Sequence, residues 1–494
     1  MNLNSDLSCS MVIFGGTGDL AHRKLLPAIY NLQSEELLPE NFAVVAIGRR
    51  DKTKEDYRKE IYDSIKQFSR FGMDNEVWNR IKNRIYYRRM DFLQTEDYQG
   101  LNEYLNEIDK KHKTKGNRIY YMAVAPEYFE GIVENLNNFC IDRKAHSWNR
   151  VVIEKPFGKN LSSAIYLNNK IVEVFKEENT YRIDHYLGKE MLQNIMVIRF
   201  ANMLFEPLWN NKYIDHIQIS SSETVGMKNR GGYYERSGAM RDMVQSHMLQ
   251  LLSLIAMEPP NDLETKSIRD EKVKVLKALK EIKPEAVSEN VVRGQYGPGG
   301  LADKRVLGYR EESNVSPHSN TETFVALKVN IENLRWSGVP FYIRTGKRME
   351  KKSTEIIIQF KSMENILYFK EKKVLPNMLV IRIQPTEGVF LQFNAKEPGN
   401  HKNIIPVQMD FCQNCEVGID SPEAYEKLLF DALRGDTTLF TRWDEVESSW
   451  KFIDHILRGW NDSKPVFPNY EAGSWGPKES DMLLQRDNRN WINL

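Results

Sequence analysis

One short stretch, Arg182-Ile183-Asp184-His185-Tyr186-Leu187-Gly188-Lys189-Glu190, gathers a carboxylate, an imidazole, a phenol and cations. In extended backbone neighbouring side chains point to opposite sides, so Asp184 and His185 are expected to serve different groups. Gly188 then reads as opening a helix with Lys189 in its first turn, where N–H donors and positive partial charge suit an anion. For any two of these residues alone, a salt-bridged domain junction is the competing reading. A second cluster, Gly15-Gly16-Thr17-Gly18-Asp19-Leu20-Ala21, follows an apolar run and precedes a helical pattern. Read as G-x-x-G-x-x-A, it is a variant of the dinucleotide fingerprint, in which glycines let the backbone turn tightly beside a pyrophosphate. The alternative is a structural βα turn.

The next strand end separates the two nicotinamide dinucleotides. NAD sites usually carry an acid there for the ribose hydroxyls, whereas this chain has Gly48-Arg49-Arg50. Guanidinium groups match a 2′-phosphate, which points to NADP and to Arg49. Asp51 follows immediately and leaves NAD as a weaker alternative; a solvated basic strand end is the plain reading. His247 lies among Met243, Leu249 and Leu251, and taken alone it reads as a buried structural histidine. Cys412-Gln413-Asn414-Cys415 has no second Cys or His pair to complete a zinc site. Two reduced thiols near a strand end are expected there, and no metal.

Residues this scattered need a scaffold. Met11–Phe14 and Phe42–Ile47 are apolar runs of the kind buried on both faces of a parallel sheet. Further strands are expected at Arg84–Arg88, Arg118–Val124 and Arg150–Glu154. Helical stretches at Lys54–Gln67, Glu96–Lys111, Tyr128–Cys140 and Ser162–Glu177 alternate with them. Pro27, inside the first helical pattern, predicts a kink or loosened turn. The whole is the pattern of a doubly wound α/β domain. Beyond about residue 185 the texture changes. Helical runs at Lys189–Phe205 and Ala239–Met257 flank a strand at Ile214–Ser222. Strands then follow at Thr323–Ile331, Phe341–Thr345, Thr354–Phe360, Leu379–Gln384 and Gly388–Asn394, which favours an antiparallel sheet. Helices return at Pro422–Leu433 and Asp444–Leu457, and Ser288–Ser319 reads as a long irregular excursion. The expected architecture is an α/β dinucleotide-binding domain over 1–186 and a larger α+β domain over 187–494.

The chain has 494 residues, enough for two domains. Hydrophobic residues at 41% and charged residues at 28% argue against disorder. With 69 basic and 68 acidic side chains, there is no global field to hold a nucleic acid or an anionic membrane. The first residues lack a signal-peptide pattern, and no apolar stretch approaches the ~20 residues that span a bilayer. Four cysteines make no disulfide framework, so a cytoplasmic location is expected.

The string at 182–190 closely resembles the active-site signature of glucose-6-phosphate dehydrogenases. So do Glu154-Lys155-Pro156-Phe157-Gly158 and the opening glycine motif followed by Arg23-Lys24-Leu25. Further matches are Arg230-Gly231-Gly232-Tyr233-Tyr234, Arg241–His247 and Arg344-Thr345-Gly346-Lys347. The resemblance runs from about residue 11 to near residue 490. It implies a Rossmann-like domain and oxidation of glucose 6-phosphate at C1 with hydride transfer to NADP. It also implies a homodimer or homotetramer. By the same matching, His247 is the base and Asp184 the carboxylate that orients it. His185, Tyr186 and Lys189 grip the phosphate. Lys155, Glu223, Asp242 and Lys347 contact the sugar, with Lys155 also near the nicotinamide, and Lys352 and Gln384 are weaker transfers. The cofactor contacts are Gly15, Gly16, Thr17, Gly18, Asp19, Leu20, Arg49 and Lys155. Ser246 replaces the family's usual Asn, a local hydrogen-bond change. In an ideal α-helix Asp242 and His247, five apart, lie about 140° from one another, so spacing does not pair them. Competing readings are a non-catalytic NADPH sensor and a sugar oxidoreductase of the glucose–fructose or inositol dehydrogenase group.

Overall fold

The structure is a computed structural model that describes residues 7–141, 146–301, 304–363, 374–399, 403–412, 422–461 and 465–494. It comprises two compact units. The first spans Met1–Gly188 and takes in Leu263–Arg269 and Pro422–Glu447, while the second holds Lys189–Asp262, Asp270–Ser421 and Ser448–Leu494.

The first unit is built on strands β1 (Cys9–Phe14), β2 (Phe42–Gly48), β3 (Ile85–Arg89), β4 (Arg118–Met122), β5 (Asn149–Ile153) and β6 (Thr180–Ile183). All six are parallel. Every residue of β1 and β2 is buried, which accounts for the apolar runs Met11–Phe14 and Phe42–Ile47 within them. Strand order reverses at β1, which lies between β2 and β4, and such a switch point opens a crevice at the strand ends. The flanking helix Lys54–Phe68 starts on Thr53, whose side chain accepts the Asp56 N–H at 3.1 Å, and it turns Tyr57, Ile61 and Ile65 inward. Ahead of Pro27 the first helix widens into a π-helical stretch, Ala21–Leu25, the loosened turn that the proline predicts.

Sequence periodicity did not reveal the far edge of this sheet. Phe440–Thr441 pairs antiparallel with β6, and the helix Ala424–Arg434 joins the same unit. Glu426 on that helix accepts from Asn31 at 2.8 Å and from Arg70 at 3.0 Å.

The second unit contains an eight-stranded sheet. Its strands are β7 (Ile214–Ser222), β8 (Val291–Gly294), β9 (Phe324–Val329), β10 (Phe341–Gly346), β11 (Ser353–Phe360), β12 (Met378–Gln384), β13 (Gly388–Lys396) and β14 (Ile404–Cys412). Their order is β14-β13-β12-β11-β7-β10-β9-β8, antiparallel except for the central pair β7–β10. The expected antiparallel character therefore holds, with a parallel pair at its centre. Two expectations change. Ser288–Ser319 is not wholly irregular, because Val291–Gly294 closes the sheet edge against β9. Cys412, at the end of β14, is disulfide-bonded and not a reduced thiol; Cys415 lies outside the described residues. Among the described residues, no helix is long and apolar enough to cross a membrane.

Candidate active site

In the first unit the glycine turn sits where β1 ends. The Gly15 and Gly16 amides both donate to the Ile47 carbonyl, at 3.0 and 2.9 Å, and Gly18 N–H closes the turn on Gly15 O at 2.9 Å. Gly15 has φ +87°, and a Cβ there would run into the Ala123 carbonyl just beyond β4. Only glycine satisfies both the backbone angle and the close approach. The helix begins at Asp19, so its first N–H groups lie beside the turn, an arrangement that fits a pyrophosphate. Gly15→Ala is expected to weaken dinucleotide binding at least tenfold and to lower Tm, with titration calorimetry and thermal melts as the checks.

At the tip of β2, Arg49 and Arg50 are exposed, and the Arg49 guanidinium lies 5.8 Å from the centre of the Tyr128 ring. Asp51, the one acid nearby in sequence, pairs with Arg89 at 3.5 Å. Beyond β5, Glu154 is held by the Tyr121 hydroxyl at 2.6 Å and the Tyr425 hydroxyl at 3.2 Å, and burial pushes its carboxyl pKa upward. Lys155 follows directly, in a cis peptide with Pro156.

Arg182 and Ile183 belong to β6, but the chain turns at Asp184. Asp184 is 2% exposed; its carboxylate accepts the Tyr186 N–H at 3.0 Å and its carbonyl the Leu187 N–H at 3.0 Å. The expected extended alternation is thus replaced by an aspartate-stabilised turn, which separates Asp184 from His185 by curvature. The His185 ring stacks on Tyr425, with centroids 6.4 Å apart and 11° between planes, and meets the buried Tyr186 edge-on.

In the second unit Lys189 is the N-cap of the helix Glu190–Phe200 and not part of its first turn. Its ammonium donates to Gln384 Oε1 at 2.6 Å, and the Gln384 amide donates to Thr354 Oγ1 at 2.8 Å. Glu223 and Lys347 follow the ends of the parallel neighbours β7 and β10 and form an ion pair. Their backbones are tied as well: Glu223 N–H donates to Gly346 O at 3.0 Å and Lys347 N–H to Thr323 O at 3.0 Å. Lys352 is exposed and immediately precedes β11, whose Ser353 is paired with Ser222.

Asp242 and His247 lie on a π-helical stretch, Met240–Met248, that runs into the α-helix Leu249–Ala256. Hydrogen bonds there run from i to i+5, so residues five apart come round to roughly the same face. The separation of about 140° expected of an α-helix does not apply. Asp242 is 7% exposed and His247 fully buried. The Tyr233 hydroxyl donates to Asp242 Oδ1 at 3.2 Å. Ser246, in place of the family's Asn, turns its hydroxyl back onto Asp242 O at 3.1 Å, as serine does inside helices. Sequence reasoning missed Tyr121, Tyr425 and Thr354, whose parts depend on strand and helix neighbours far away in the chain.

The glucose-6-phosphate dehydrogenase NAD binding domain model matches residues 12–194 and the corresponding C-terminal domain model residues 196–492. The chain is 50% identical over 495 residues to glucose-6-phosphate 1-dehydrogenase of Bacillus subtilis (strain 168), with all of both chains covered. It is 49% identical to that of Chlamydia pneumoniae, covering 98% of this chain and 96% of the relative. A solved glucose-6-phosphate dehydrogenase in complex with glucose 6-phosphate matches over 100% of both chains, at a TM-score of 0.89 and 32% identity. The glucose-6-phosphate 1-dehydrogenase of Mycobacterium avium matches at a TM-score of 0.85 and 32% identity, covering 99% of this chain and 98% of that one. The chain belongs to the glucose-6-phosphate dehydrogenase family.

Proposed function

We propose that this oxidoreductase oxidises glucose 6-phosphate at C1 to 6-phosphoglucono-1,5-lactone with NADP as acceptor. Full-length membership of the family carries the reading. The dinucleotide, when bound, supplies the hydride acceptor at C4 of its nicotinamide; the chain's own residues bind, orient and move the proton. His247 takes the C1 hydroxyl proton, a task suited to an imidazole whose ordinary pKa is about 6.5. Asp184 orients that imidazole and stabilises its charged form, as in other base–orienter pairs. His185, Tyr186 and Lys189 hold the phosphate, where cations and charge-assisted hydrogen bonds favour a dianion. Lys155, Glu223, Asp242 and Lys347 take the sugar hydroxyls, with Lys352 a further cation. Homo-oligomeric assembly and a cytoplasmic location complete the proposal; Met409 and Phe411, exposed on β14, support self-association.

Choice of NADP rests on the tip of β2. No acid occupies it, and Asp51 is engaged by Arg89, which leaves Arg49 to meet a 2′-phosphate. Mixing the enzyme with glucose 6-phosphate and NADP, or NAD, and following the reduced-nicotinamide absorbance tests the whole reading. Reduction that needs the sugar phosphate and is faster with NADP is expected, and no reduction with either dinucleotide overturns it. Arg49→Ala is expected to weaken NADP by roughly one to two powers of ten, the worth of a charge-assisted bond, and NAD hardly at all. An equal loss for both dinucleotides would make Arg49 structural.

A further inference from the structure

We infer that Glu322 is a positioning residue for Asp242 and His247, anchoring the start of the π-helical stretch that carries both. This inference rests on the reading of His247 as the base.

The helix that carries these residues does not run on smoothly from the preceding one, Gly231–Ala239. The chain breaks at Gly238, with φ 65° and ψ 176°, angles that only glycine adopts at little cost. Glu322, from the segment leading into β9, fills the space opened by the break: a Cβ on Gly238 would run into its carboxylate. Glu322 O accepts the Ala239 N–H at 3.0 Å, and Glu322 Oε1 accepts the Met240 N–H at 3.0 Å.

These are two of the amide groups that a helix start leaves without a partner in its own backbone. An outside acceptor at Met240 serves the helix start in either register and fixes where the helix begins. The carboxylate is 6% exposed; burial pushes its pKa up, against the pull of the Met240 amide, its own amide, Arg241 and Arg293. A buried carboxylate at a helix start also complements the positive end of the helix dipole.

The next residue extends the anchorage. Thr323 O accepts the Lys347 N–H at 3.0 Å, and Lys347 pairs with Glu223. One dipeptide thus ties down both the Asp242–His247 helix and the cation at the end of β10. If Glu322 retracts, the helix start loses its outside acceptor, and Asp242, two residues on from Met240, is no longer held in place.

The test compares Glu322→Ala, Glu322→Asp and Glu322→Gln, with Tm and circular dichroism read alongside kinetics. Ala removes the acceptor, Asp keeps the charge but withdraws it by one methylene, and Gln keeps the reach and an amide oxygen. Ala and Asp are expected to lower kcat about ten- to a hundredfold, since a misplacement of about 1 Å can cost roughly 10²-fold. KM for NADP should stay within about twofold, and Gln should restore kcat to within about threefold of the parent, if the acceptor is what matters. In a His247→Asn background, Glu322→Asp should lower kcat no further, because groups that act through one another are not additive. A folded Glu322→Ala enzyme with parental kcat overturns the inference. So does Gln performing no better than Asp, a comparison that stands even if Ala fails to fold, and so does full additivity with His247→Asn. Failure of the underlying reading looks different: His247→Asn would itself retain turnover.

Discussion

His247→Asn is expected to cut kcat by roughly two to four powers of ten, the usual worth of general-base help, while KM for glucose 6-phosphate stays within a few fold. Asparagine preserves much of the shape and can still hydrogen-bond, but it cannot take up a proton near neutral pH. The side chain is fully buried on the π-helical stretch, so a stability measurement must accompany the kinetics. A folded variant with lost kcat and retained KM locates the defect in the chemical step. Near-normal turnover in a folded variant removes His247 from the proton transfer, and Asp184 with it.

Lys189→Ala addresses the substrate. Glucose and glucose 6-phosphate share the reacting carbon, so preference for the ester must come from groups remote from C1. A charge-assisted hydrogen bond contributes about 1.5–3 kcal/mol, or roughly one to two powers of ten. KM for glucose 6-phosphate should therefore rise at least tenfold, while the feeble oxidation of free glucose is almost unchanged. Some loss of kcat is compatible, because remote binding energy can align the reacting carbon. The ratio of kcat/KM for the two sugars is decisive. If it does not change, Lys189 does not read the phosphate. The Gln384 carbonyl that accepts from Lys189 holds the ammonium in place, and a phosphate must compete with that bond or share it.

The parallel sheet was legible because strands buried on both faces can hardly be anything but apolar. Met11–Phe14 and Phe42–Ile47 carry that signature, and the glycine turn between strand and helix fixed the place of the dinucleotide motif. Short elements held by partners distant in sequence left no comparable mark. Phe440–Thr441 is too brief to show a period, and it is a strand only because β6 offers it an edge. Val291–Gly294 sits in a Gly- and Asn-rich context that reads as loop, yet β9 recruits it. The bend at Asp184 was hidden for another reason. Its side chain supplies a turn-closing acceptor, and composition alone does not separate that from a strand end.

The Asp242–His247 relationship shows a third kind of limit. Sequence periodicity presumes an α-helix, and a change of hydrogen-bond register inverts the conclusion drawn from a five-residue interval. Gly238, where the backbone breaks, is a lone glycine in the sequence, and a lone glycine does not announce a π register. Glu322, which meets that break from far along the chain, had no signal in sequence at all.

The first unit's sheet ends on Phe440–Thr441, and its helix Ala424–Arg434 covers Asn31 and Arg70. During synthesis, therefore, the ribosome delivers the dinucleotide-binding strands long before the pieces that finish them. At roughly 5–20 residues per second, that interval amounts to tens of seconds. Throughout it the nascent chain presents β6 as an open edge, the kind of surface that recruits other strands. A stop codon ahead of Pro422 would make that exposure permanent, so a truncated product is a substrate for chaperones or aggregation, not a smaller dinucleotide-binding protein.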